Sequence, residues 1–207
     1  MSAVADALAA RRSFSRVSPD APSHDELLPL VAAAARVADH GALRPWRLIE
    51  LRGDARLRLG EALVAASGHT AAEAARTAAK PLRAELLIAL VISRRVSDKV
   101  ADWEQDAAAA GVAHSLSLLL ADAGWGVMWR TGPQTRSAPV RRVHALADNE
   151  ELLGWLYVGG VPPDARPGVR LPIDPAEFLS VLQPGASPPD APGAAAPEQG
   201  RPRDLNP

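Results

Sequence analysis

The run Gly124-Trp125-Gly126-Val127-Met128-Trp129-Arg130-Thr131-Gly132 decides how this chain is read, because of what flanks it. Upstream, residues 107–123 are apolar almost all round a helix, with His114, Ser115, Ser117 and Asp122 as the polar exceptions. Downstream of the first glycines, residues 127–131 read as a short strand. The run therefore leads from a helix into a strand. A dinucleotide-binding fingerprint needs its glycines between a strand and the helix that follows, so this is not one. A helix apolar on every side also needs cover on every side.

Residues 86–92, Leu-Leu-Ile-Ala-Leu-Val-Ile, are apolar on both faces and belong in a sheet centre, whereas residues 46–51 alternate apolar and charged side chains like a half-buried strand. Residues 152–158 form a further apolar strand, and 54–66, 71–79 and 139–145 read as helices. Ser23-His24-Asp25-Glu26 has the capping-box pattern, followed by Leu27, Leu30, Val31, Ala34 and Ala38 at helical spacing. Pro29 would delete a backbone hydrogen bond, which predicts a kinked first turn or a later start. Residues 1–11 form a first helix that runs out into the basic cluster Arg11 to Arg16. Strands and helices alternate without an internal repeat, so the pattern by itself supports an α/β or α+β domain.

At 207 residues the chain has room for one domain with a real core. Seven of its nineteen prolines fall in residues 184–207, with Gly and Ala and one large aliphatic, Leu205. Such a segment cannot bury enough apolar area to offset its ordering entropy. The expected organisation is a domain over 1–183 and a disordered tail over 184–207. A formal net charge of −1 gives no broad attraction to nucleic acid or anionic membrane, and no apolar run approaches the roughly 20 residues of a spanning helix. The N-terminus lacks a signal-peptide pattern. Cysteine is absent, which excludes disulfides, a thiolate nucleophile and iron–sulfur chemistry, fits a cytoplasmic protein, and means that redox work must be borrowed from a cofactor.

Three separated stretches offer donors for an anionic cofactor: Arg11-Arg12-Ser13; Arg36 with Asp39-His40 and Pro45-Trp46-Arg47; and Trp129-Arg130-Thr131. Guanidinium and hydroxyl groups of this kind suit a phosphate of charge near −2. Each has a plainer reading alone. Arg-Arg-Ser is also what a solvated helix C-terminus looks like. His40 beside Asp39 has no other His at metal-ligand spacing, so no metal site is expected. No G-x-S-x-G, H-E-x-x-H or P-loop is present.

Taken together and in this order, the three stretches resemble the nitroreductase-like flavoprotein family, and most closely its compact bacterial branch of NAD(P)H nitroreductases. The resemblance spans roughly residues 1–163 and includes Trp103-Glu104-Gln105 and residues 151–159; Leu48 and Thr131 replace the usual Phe and Ser. It implies an α+β fold with a central mixed sheet flanked by helices, in a homodimer that binds FMN. Arg11, Arg12 and Ser13 would grip the phosphate and the ring's pyrimidine edge, with Arg130 a second phosphate cation and Trp129 and Thr131 on the same wall. Arg36 and His40 would reach a flavin bound mainly by the other subunit. Hydride would pass from NADH or NADPH to a small acceptor such as a nitroaromatic or quinone. No side chain is expected to act as a catalytic acid, base or nucleophile, because flavin carries the hydride. The alternative is a protein that stores or sequesters FMN with little turnover.

Overall fold

The computed structural model describes residues 2–68, 70–166 and 170–181. It divides into two compact units, Met1–Gly168 and Val169–Pro207. Among the described residues of the second, a short 3-10 turn, Pro175–Glu177, is capped by the Asp174 side chain. The expected tail, 184–207, lies outside the described residues.

The first unit is built around four strands: β1 (Trp46–Leu51), β2 (Leu86–Ser93), β3 (Trp125–Arg130) and β4 (Glu150–Gly160), in the spatial order β1-β2-β4-β3. Six helices accompany them: α1 (Ala3–Ala10), α2 (His24–Ala34), α3 (Asp54–Ala65), α4 (Ala71–Ala78), α5 (Asp102–Asp122) and α6 (Ala138–Val143). The class is α+β, as expected. The sheet is antiparallel in every pairing rather than mixed. The reason is topological: β2 and β3 are joined by the crossover helix α5 and run the same way, but β4 lies between them, so they never pair.

Every residue of β2 is buried, and its alternation supplies two cores. Leu86, Ile88 and Leu90 pack with Leu27 and Ala34 of α2 and Val112, Leu116 and Leu120 of α5. Leu87, Ala89 and Val91 face Leu59 and Leu63 of α3 and Val140 of α6. Helices thus cover both faces, each fully buried Leu or Ile contributing about 1.5–3 kcal/mol.

Along β4, Leu156 and Val158 join the α5 face while Trp155 and Tyr157 join the α3 face. Strict alternation would put Leu152 with Leu156, yet it sits with Trp155. A bulge explains this: Leu90 pairs with Gly154 and Val91 with Leu152, so Leu153 is the extra residue. Gly154 adopts φ of 137°, and a Cβ there would strike the Arg130 carbonyl oxygen and approach Trp129 Nε1 to 2.9 Å. Only glycine lets β3 lie this close at the position from which Arg130 leaves the strand.

In helix α2 the later start that Pro29 allowed does not occur. The helix starts at its cap and runs through the proline. Ser23 Oγ accepts from the Glu26 amide at 3.3 Å and Glu26 Oε2 accepts from the Ser23 amide at 2.8 Å. The reciprocal cap therefore fixes the first turn before the missing N–H is reached. Helix α5 spans 21 residues, and α2, β2 and β3 supply most of its cover. Trp103, in its first turn, remains 70% exposed.

Candidate functional site

Because β3 is an edge strand, its two faces meet different surroundings. Trp125, Val127 and Trp129 pack toward α5, and the Trp129 ring meets His114 edge-on with centroids 4.9 Å apart. Beside β3, Met128, Trp129, Arg130 and Thr131 help to line a cavity of about 370 Å³, together with Trp155 and Tyr157 of β4 and Leu63 of α3. Thr77, Lys80, Arg83 and Gln134 complete the lining. Among the described residues, three cations and no carboxylate line this space.

Arg130 is the most constrained of the three. Its guanidinium carbon stands 5.2 Å from the centroid of the Tyr157 ring. Its Nη2 donates to the Ser15 carbonyl at 3.3 Å, and its Nε is buried with no partner among the described residues. Burial pushes the guanidinium below its ordinary pKa, opposed by Tyr157 and reinforced by the positive charge of Arg83. Burial likewise raises the Tyr157 phenol, against the pull of Arg130 and then Arg83. Neither Lys80 nor Arg83 has an ion-pair partner among the described residues. Trp129 Nε1 is also buried without a partner among the described residues. The site presents more donors and positive charge than the chain itself satisfies, which is the electrostatic form of an anion-binding cavity.

The N-terminal segment reaches the same strand. Phe14 N donates to the Val127 carbonyl at 3.0 Å, and Ser18 N donates to the Gly160 carbonyl at 2.8 Å, so residues 14–18 run alongside β3 and the end of β4. Arg11 Nη1 donates to Ser13 Oγ at 3.4 Å. Arg12 Nη1 donates to the carbonyls of Ala9, Ala10 and Arg11 at 2.5, 3.1 and 2.9 Å, closing the end of α1. Arg11 and Arg12 line a second cavity, of about 310 Å³, with Asp122, Gly124 and Trp125. The structure therefore brings the first and third sequence stretches to one strand but to two separate cavities, at its opposite ends.

Arg36 and His40 lie elsewhere. Both are exposed, and His40 Nδ1 sits 3.3 Å from Glu104 in the first turn of α5. Asp39 Oδ2 accepts from the Arg44 amide at 2.7 Å, holding the turn. His114, which touches Trp129, is ten residues further along α5 than Glu104, or about 15 Å of helix rise. Within one chain His40 is thus well separated from the Trp129 wall. Trp46 belongs to the α5-side core, and Arg47 pairs with Glu150 at 2.7 Å, both structural.

Lys80, Arg83 and Thr77 were missed by sequence reading. In sequence they are a surface helix end and a basic turn before an apolar strand; only the fold turns them toward β3. Among the described residues no group of His, Asp and Glu is placed to hold a metal, and no helix is long and apolar enough to cross a membrane.

Comparison with known proteins agrees with this architecture. Residues 8–160 match the model of the Nitroreductase family. A protein of Escherichia coli strain K12 named "Putative NAD(P)H nitroreductase YdjA" is 31% identical over 175 residues, covering 82% of this chain and 94% of that one. Among solved structures, a nitroreductase-like family protein from Bacillus cereus superposes with a TM-score of 0.76 at 20% identity, over 89% of this chain and 98% of the other. The FMN and NADPH-dependent nitroreductase NfnB from Sphigopyxis sp. strain HMH gives a TM-score of 0.70 at 18% identity, over 88% and 100%. The span of the family match, together with the identity and coverage of the YdjA relative, shows that this chain belongs to the nitroreductase family.

Proposed function

We propose that this nitroreductase-like oxidoreductase binds FMN in the cavity beside β3 and, as a cytoplasmic homodimer, passes hydride from NADH or NADPH to a small acceptor such as a nitroaromatic or quinone. The observation that carries the reading is the cavity's charge: among the described residues Lys80, Arg83 and Arg130 line it without a carboxylate, and Arg130 Nε is buried with no partner. A dianionic phosphate and a ring that becomes anionic on reduction are the kind of ligand such a lining fits. When bound, FMN would supply the hydride-accepting and hydride-donating centre, which the side chains cannot.

The chain's own residues bind, orient and tune. Arg130 supplies phosphate donors, with Arg11 and Ser13 from the adjoining segment, while Arg12 closes the end of α1 and shapes that segment; Lys80 and Arg83 supply positive charge for the reduced ring. Trp129, Thr131, Trp155 and Tyr157 wall the site and keep water from it. His40, bonded to Glu104 about 15 Å along α5 from the Trp129 contact, and the exposed Arg36 fit a role toward the partner subunit's flavin. The exposed Trp103 beside Glu104 supports an interface at that end of α5.

The absorbance spectrum of the purified protein tests the cofactor, and anaerobic stopped-flow mixing with NADH or NADPH tests the reaction. Bleaching of the flavin band and its return on adding nitroaromatic or quinone is the expected result. Bound flavin that neither nicotinamide bleaches within minutes would turn the reading to storage or sequestration of FMN.

A further inference from the structure

One wall of the cavity is held by a histidine that no sequence motif singles out. His144 follows α6 and is 4% exposed. Its Nδ1 lies 2.8 Å from the Val140 carbonyl, and its Nε2 lies 3.0 Å from the indole nitrogen of Trp155. A carbonyl can only accept and an indole N–H can only donate. The imidazole must therefore carry its proton on Nδ1 and leave Nε2 bare. Trp155, whose indole it fixes, is a lining residue of the cavity.

Resting on the flavin reading of that cavity, we propose that His144 is a positioning residue: its neutral imidazole holds the Trp155 indole as a fixed wall, and mild acidification, by adding a proton to Nε2, breaks this bond and loosens flavin binding. The protonated ring would present N–H to N–H, and the buried indole would have to turn away from it. No covalent step is involved.

The surroundings favour the neutral form. Arg47 of β1 donates to the carbonyls of His144 and Ala145 at 3.4 and 3.3 Å. Glu150 is engaged with Arg47 at 2.7 Å, and Arg141 of α6 donates to the Glu150 carbonyl at 2.8 Å. Burial first, and the Arg47 charge with it, push the imidazole below the ordinary histidine value of 6.5, against the Val140 bond. The lock is intact above that value and weakens as pH falls below it. Arg47 and Glu150 keep their charges throughout this range, so His144 is the group among them that changes state.

The test uses the full chain as wild type, His144→Gln, His144→Leu and Trp155→Phe. FMN and riboflavin are titrated at pH 8 and pH 5 by flavin fluorescence. Riboflavin lacks the phosphate, whose own second proton titrates near pH 6. Wild type should lose about three- to tenfold in riboflavin affinity between pH 8 and 5, the range of one neutral hydrogen bond. His144→Gln, whose amide oxygen can accept from the indole, and Trp155→Phe should lose that pH dependence. His144→Leu should bind weakly at both values. Indole N–H resonances of the apoprotein, with Trp155 identified by its loss in Trp155→Phe, should show one signal moving with His144 protonation. If wild type binds neither flavin at any pH, the flavin reading fails and takes this proposal with it. If wild type binds FMN and riboflavin but all three variants keep its affinity and pH dependence, the positioning role alone is overturned.

Discussion

Arg130 stands over the ring of Tyr157 at 5.2 Å while its Nε, buried, has no partner among the described residues. A cation held in this way is stabilised by the ring face but only partly hydrated, so an arriving anion gains a bond without displacing one. Arg130→Ala should weaken FMN binding about tenfold to a hundredfold, since bonds to charged groups contribute roughly 1.5–3 kcal/mol. Arg11→Ala should do the same if its segment grips the phosphate. Titration of apoprotein with FMN is the check, and unchanged affinity in both variants would remove the phosphate assignment.

Lys80 faces the same cavity without an ion-pair partner among the described residues. A cation there stabilises reduced, anionic flavin more than oxidised flavin. Lys80→Ala should therefore lower the two-electron midpoint potential by about 20–40 mV, equivalent to about 1–2 kcal/mol. Equilibration with a reference dye would measure it. A potential equal to that of wild type would place Lys80 away from the ring.

How much of this was legible in the sequence depended on how local the cause is. β1 and β2 follow from alternation and from apolarity on both faces, and α2 from its capping box, which overrode Pro29. The bulge at Gly154 was not legible, because it exists only against Leu90 and Val91 of another strand. For Arg12 the plainer of the two sequence readings holds, since its guanidinium turns back onto its own helix end. Lys80 and Arg83 lie about 50 residues from Arg130 in sequence and read there as ordinary surface cations. Sequence spacing carried the strand of the site, while the third dimension added its charge.

Glu150 binds the Arg47 guanidinium through both carboxylate oxygens, each at 2.7 Å, and this pairing holds its carboxyl down at about 2 from the ordinary 4.5. The folded state thus gains stability that is present above pH 4.5 and lost as pH falls toward 2. A shift of that size corresponds to at most about 3 kcal/mol, reduced to about 1–2 because the Arg47 side chain is 38% exposed. Glu150→Gln should lose about that much by denaturant unfolding at pH 7. The gap between variant and wild type should close as pH approaches 2; a gap that stays constant with pH would assign the loss to packing instead.

His40 and Trp103 occupy the first-turn end of α5, one bonded to Glu104 and the other exposed. If this end meets a second copy and places His40 toward its flavin, the protein is an obligate dimer, and His40→Ala weakens FMN while leaving the monomer fold intact. Light scattering at micromolar concentration gives the mass. A stable monomer saturated with FMN would remove both the interface and the cross-subunit role.

If FMN in the cavity beside β3 is the redox centre, the order of turnover follows. Nicotinamide and acceptor must each approach the same face of the flavin, so they would use the cavity in turn, and reduction must be complete before the acceptor enters. Parallel double-reciprocal lines are the expected steady-state pattern. No side chain lining the cavity is placed as a titrating acid or base for hydride transfer. The lining consists of cations, amide, hydroxyl and apolar groups, and its one phenol, Tyr157, has its pKa raised by burial. The kcat profile should then lack a bell shape between pH 6 and 9, with His40→Ala changing KM more than kcat. Lines that intersect to the left of the axis would mean that both substrates bind at once. In that event the second cavity beside Arg11 and Arg12 would be the place to look for the other one.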